Sequence, residues 1–87
     1  MEPANILIVD DERVICNGCR VALMDEDYSV DICMNGRSGL NAILKGHYDV
    51  VLLDMKLPDL GGIEILKGVA KEKPGEHIIV MTGHFSV

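Results

Sequence analysis

The sequence predicts an α/β protein built on a doubly wound parallel sheet, and three observations carry that prediction. Four short apolar runs rich in β-branched residues, NILIVD, YSVDIC, DVVLLD and IIVMT, punctuate the chain. Between them lie three segments whose apolar residues recur at helical spacing. Gly, Pro and Asx pairs separate the two kinds of segment, and strands that alternate with helices imply right-handed crossovers and parallel pairing under helices on both faces.

The first strand covers residues 5–10, an apolar run that ends in Asp10. Asp11 and Glu12 follow as N-cap and first-turn signals, since negative charge is favoured at a helix N-terminus. The first helix then runs from Arg13 to about residue 25, with Ile15, Cys19, Ala22 and Leu23 on its inward face. Asn17-Gly18 is the one local conflict, because Gly costs about 1 kcal/mol against Ala in a helix interior. Residues 28–33 alternate enough to form the second strand, closed by Asn35-Gly36. The second helix spans residues 38–45 with Leu40, Ile43 and Leu44 on one face, and Gly46 stops it. Residues 49–54 form the third strand, apolar without alternation and so expected to be covered on both faces. A loop over residues 55–61 leads into the third helix, residues 62–72, with Ile63, Leu66, Val69 and Ala70 inward and Lys73-Pro74-Gly75 as its stop. Residues 78–82 are the fourth strand, which ends at a hydroxyl.

At 87 residues, 48% of them hydrophobic and 25% charged, the chain is expected to be one small soluble domain. Its net charge of −6 argues against direct nucleic-acid binding, which needs clustered Lys and Arg. The N-terminus has no basic stretch, and the apolar run at residues 6–9 is too short for a signal peptide or a membrane span. These features, and three cysteines without a disulfide framework, point to the cytoplasm and to no membrane association. Cys16 and Cys19 have the spacing of a redox pair, but they lie inside a helix rather than at its N-terminus and read as packed thiols. His47, His77 and His84 show no metal-ligand spacing. Gly61-Gly62 lacks the Lys-Ser/Thr ending of a phosphate loop and reads as the turn into the third helix.

Three strands end in polar groups: Asp10 with Asp11, Asp54, and Thr82. In a parallel sheet all carboxyl ends share one edge, where ligands bind. Clustered carboxylates raise one another's pKa unless a cation neutralises them, and Mg²⁺ suits a set of carboxylates with a backbone carbonyl. A carboxylate beside Mg²⁺ can attack phosphorus to give an aspartyl phosphate, and Thr82 could hydrogen-bond a phosphoryl oxygen.

ILIVDDE, VVLLDMKLPDLGG and IIVMTG, in that order and over the whole chain, resemble the receiver domain of two-component response regulators. The resemblance implies a flavodoxin-like 2-1-3-4-5 sheet, with residues 1–87 a single receiver domain that lacks its last helix-strand-helix segment. Carried over by position, Asp54 is the phosphoacceptor, Asp11 the acidic ligand directly on Mg²⁺, Asp10 a ligand through water, and Lys56 a donor of its backbone carbonyl. Thr82 is the switch hydroxyl. The implied partners are a sensor histidine kinase, as phosphodonor, and an effector domain beyond Val87, with a tie to transcription regulation. On this reading the domain is no enzyme, and it switches partner binding. The family's fifth-strand lysine has no counterpart among these residues, and the fourth strand becomes an apolar edge expected to pair with a second copy. Two alternatives stay open: a self-associating module that is never phosphorylated, and a haloacid-dehalogenase-like phosphatase. Lys56 weighs against the latter, because it stands where those enzymes place a second aspartate.

Overall fold

The four apolar runs form one parallel sheet in a computed structural model whose described residues are 4–81. Strand β1 is Asn5–Val9, β2 Ser29–Cys33, β3 Val50–Asp54 and β4 Ile78–Met81, and their order in the sheet is β2-β1-β3-β4. Helices α1 (Arg13–Met24), α2 (Gly36–Lys45) and α3 (Gly62–Glu72) make the crossovers. This is the predicted order over the strands described, and the predicted fold class. The register places Val9 opposite both Cys33 and Leu53, and Asp54 opposite Met81, so the carboxyl ends of all the strands lie on one edge.

Side chains alternate across each strand, so each strand feeds two cores. Leu7, Val9, Val51 and Leu53 pack with Ile43 of α2 and with Ile65 and Val69 of α3. Ile6 and Ile8 point the other way, against Cys16 of α1, with Cys19, Leu23 and Leu52 around them. That double coverage is why β1 reads as a continuous apolar run.

Four details depart from expectation. Glu12, and not Asp11, is the N-cap of α1, so no acidic residue stands in its first turn. On α1, Cys16, Cys19 and Leu23 face the sheet, whereas Ile15 and Ala22 are exposed. Val14, Ile15, Val21 and Met24 widen the apolar arc of this helix, so spacing alone fits more than one rotation. The Cys16 thiol decides it by donating to the Asp10 carbonyl at 3.2 Å. On α3 the inward residues are Gly62, Ile65, Leu66 and Val69, while Ile63 and Ala70 face solvent. Gly62 fixes that rotation, because a Cβ there would lie 2.4 Å from the Met55 sulfur. Finally, α2 begins two residues earlier than predicted. Asn35 serves as its N-cap and accepts from the Ser38 amide at 2.9 Å, and Gly36 and Gly39 are buried in its first turns. The helix α1 does run through Asn17-Gly18, as read from the sequence.

At the opposite edge from the strand ends, the Lys73 ammonium donates to the carbonyls of Ile43 (3.0 Å) and Gly46 and pairs with Glu76 at 2.9 Å. A cation there satisfies the last carbonyls of α2 and complements its dipole. Among the described residues β4 is an edge strand, with Ile79 55% exposed and Val80 also exposed.

Two glycines separate packing from propensity. A Cβ on Gly39 would lie 2.5 Å from Val9 Cγ1, whereas one on Gly18 meets nothing within 4 Å. Gly39→Ala is expected to lower stability by about 1–3 kcal/mol through overpacking. Gly18→Ala is expected to raise it by up to about 1 kcal/mol. Urea denaturation of both variants checks the opposite signs, and a similar loss at the two positions would contradict the packing described.

Candidate functional site

The site begins with the pairing of β1 and β3. The Asp10 amide continues the β1–β2 ladder by donating to the Cys33 carbonyl at 3.1 Å, which fixes the backbone just past the end of β1. The Asp10 carboxylate turns back and accepts from the amide of Glu12, the N-cap residue of α1, at 2.9 Å, while the Glu12 side chain makes no cap hydrogen bond. Asp54 ends β3, and its Oδ1 accepts from the Lys56 amide at 3.1 Å. Asp10 and Asp54 are each only 5% exposed, and Asp11 is exposed beside them. One carboxylate oxygen from each of Asp10, Asp11 and Asp54 lies within 4.8 Å of the others.

Burial pushes the Asp10 carboxyl above its ordinary value; the Glu12 amide opposes this, and repulsion from Asp54, Glu12 and Asp11 adds to it. The ion pair found among the described residues, Lys73 with Glu76, lies at the other edge of the sheet. An all-oxygen, acidic donor set of this kind is suited to a hard divalent cation.

Of the residues singled out from the sequence, Asp10, Asp11 and Asp54 come together as expected. Lys56 is exposed, with its amide on the Asp54 carboxylate. Thr82 and His84 lie outside the described residues. Cys16 is buried beneath the cluster, Cys19 is half-buried, and both are free thiols. Burial raises the Cys16 thiol pKa, as expected of a packed, inert cysteine. His47 and His77 are exposed. One participant went unnoticed in the sequence: Asp59, in the loop after Asp54, accepts from the Gly36 and Arg37 amides of α2. Nothing local in LPDLGG signals a contact with a helix more than twenty residues earlier.

The family model described as the response regulator receiver domain matches residues 6–87. The chain belongs to that family. It is 41% identical to the uncharacterized transcriptional regulatory protein YkoG of Bacillus subtilis over 87 residues, which is 100% of this chain and 38% of YkoG. The chain thus spans well under half the length of the curated relatives it matches. A CheY-like receiver domain protein from Methanospirillum hungatei superimposes with a TM-score of 0.88 at 36% identity, covering 98% of this chain and 68% of that one. Response regulator TrrA of Thermotoga maritima, solved in complex with Mg²⁺-BeF, superimposes at 0.87 with 34% identity over 93% of this chain and 70% of its own. TrrA has also been solved in complex with histidine kinase ThkA. These likenesses favour neither the phosphatase nor the module without phosphorylation. A receiver domain is a signalling domain rather than a classical enzyme, and no helix among the described residues is long and apolar enough to cross a membrane.

The raised Asp10 carboxyl gives a signed pH dependence. The group takes up its proton more readily in the folded chain, so its contribution to stability is full below its ordinary value of 3.8 and is lost as pH rises through the higher folded value. With divalent ions removed by chelator, Asp10→Asn is therefore expected to melt a few degrees higher than the unsubstituted chain near neutral pH, and the difference should shrink as the pH falls toward the acid range. Thermal melts across that range check this, and a difference that does not change with pH would contradict it.

Proposed function

We propose that this receiver accepts a phosphoryl group on Asp54 from the phosphohistidine of a sensor histidine kinase. The observation that carries the reading is the convergence of Asp10, Asp11 and Asp54 at the carboxyl edge of the sheet. An Asp54 carboxylate oxygen forms the new bond to phosphorus, the phosphorus–nitrogen bond to the donor imidazole breaks, and the electron pair leaves with the imidazole. The Lys56 amide orients the Asp54 carboxylate through its hydrogen bond to Oδ1. Asp11 would hold Mg²⁺ directly, Asp10 through water, and Asp54 and the Lys56 carbonyl would complete the protein's share; the donor set fits the ion. When bound, Mg²⁺ offsets negative charge on the transferring group. Thr82 is the switch hydroxyl in this reading, and the outcome is altered partner binding rather than turnover.

The chain covers 68% of the Methanospirillum receiver, which supports reading residues 1–87 as one receiver domain with further elements beyond Val87. By analogy with the transcriptional regulators it resembles, an effector domain follows those elements, in a cytoplasmic protein that does not touch nucleic acid through this domain. Intact-mass spectrometry after incubation with a small phosphodonor and Mg²⁺ tests the chemistry. The expected result is a gain of one phosphoryl group in the unsubstituted chain and none in Asp54→Ala; no gain in a folded sample that binds Mg²⁺ would overturn phosphorylation of this chain.

A second reading rests on β4, whose exposed Ile79 and Val80 border an edge without a partner among the described residues. Such an edge recruits another strand, and for residues 1–87 on their own, without the further elements proposed above, we propose that a second copy of the chain supplies it. Light scattering over a concentration series is expected to show dimers that Ile79→Lys abolishes, and a monomer at every concentration would overturn this.

A further inference from the structure

We infer that Asp59 is a positioning residue for the acidic cluster, holding the loop after Asp54 in place through the first two amides of α2. The inference rests on the reading of that cluster as a metal and phosphoryl site. The loop over residues 55–61 carries Lys56, whose amide touches Asp54, so its placement bears directly on the cluster. Buried Leu57 anchors its middle. The Gly62 amide closes it on the Met55 carbonyl at 3.3 Å, and the Met55 amide meets the Met81 carbonyl at 3.4 Å. At the tip Leu60 packs against the core, and Asp59 supplies the side-chain hydrogen bonds: Oδ1 accepts from the Gly36 amide at 2.7 Å and Oδ2 from the Arg37 amide at 3.0 Å.

Both carboxylate oxygens are used, on donors at the positive end of a helix, which makes this a strong charge-assisted contact. The two amides hold the Asp59 carboxyl below the usual range. Close approach depends on Gly36, where a Cβ would stand 2.6 Å from the Leu60 carbonyl oxygen and 3.2 Å from Asp59 Oδ1. The first-turn amides of α2 are thus divided between two caps. Asn35 takes Ser38 from within the same segment, and Asp59 takes Gly36 and Arg37 from a different loop. Asn35 caps the helix; Asp59 also ties the helix to the loop beside Asp54.

That division supplies the test. Asp59→Ala and Asn35→Ala each remove a cap from the same helix end, but only the first releases the loop. Two quantities are read for each: hydrogen exchange of the Lys56 amide by NMR without metal, and Mg²⁺ affinity by calorimetry well below the melting transition. Asp59→Ala is expected to speed Lys56 exchange by about ten-fold, as local opening becomes easier. It is expected to weaken Mg²⁺ binding by about three-fold to ten-fold, a typical size for coupling through one contact. Asn35→Ala should move neither quantity. Asp59→Asn, which keeps the shape and one acceptor oxygen, should show a smaller change in the same direction, and it serves if the alanine variant does not fold. Unchanged Lys56 exchange in the Asp59 variants, or equal acceleration in Asn35→Ala, would overturn the positioning role. An unsubstituted chain that binds no Mg²⁺ would instead overturn the metal reading, and Lys56 exchange would still decide what Asp59 does.

Discussion

Because β1 and β3 run parallel and side by side with Val9 opposite Leu53, the residues that follow them, Asp10 and Asp54, leave the sheet at the same height on the same edge. The rest of the molecule follows from that pairing. Each parallel connection needs a helix to return the chain to the starting edge, so helices must cover the sheet and the strands must be apolar on both sides. Reversing either strand would send its aspartate to the far end, and no change of side chain could restore the cluster.

The arrangement sets local stability against function. Asp10 and Asp54 sit close together at the rim of an apolar sheet, where burial, and with it repulsion from Asp54, disfavours the charged form of Asp10. The Glu12 amide offsets part of that cost for Asp10, and the Lys56 amide hydrogen-bonds the Asp54 carboxylate. Both amides lie two residues beyond the aspartate they serve, so each strand end folds back on itself as it leaves the sheet. Sites that break the rules of packing in this way are usually the sites where a protein acts.

Much of this was legible in the sequence because it is written locally. An apolar run ending in aspartate gave both the strands and the cluster, and α3 was placed at residues 62–72 with the bounds the structure shows. Helix rotation was harder to read. The surplus apolar residues of α1 hid the role of Cys16, and the inward face of α3 was set by Gly62 meeting Met55, a contact between elements that no periodicity records. Asn35 was read as the end of a strand when it is the start of a helix, two roles that an Asx residue fills with the same side-chain chemistry. Asp59 was missed for a similar reason: its partners are amides, which carry no sequence signal at all.

Lys73 and Asp59 between them determine how α2 is mounted. Asp59 precedes α3 and grips the first turn of α2, while Lys73 follows α3 and grips its last carbonyls. The residues that bracket one helix therefore hold both ends of its neighbour. In mechanical terms the two helices form a single plate bolted at opposite corners, so neither can be moved alone without breaking one of these contacts.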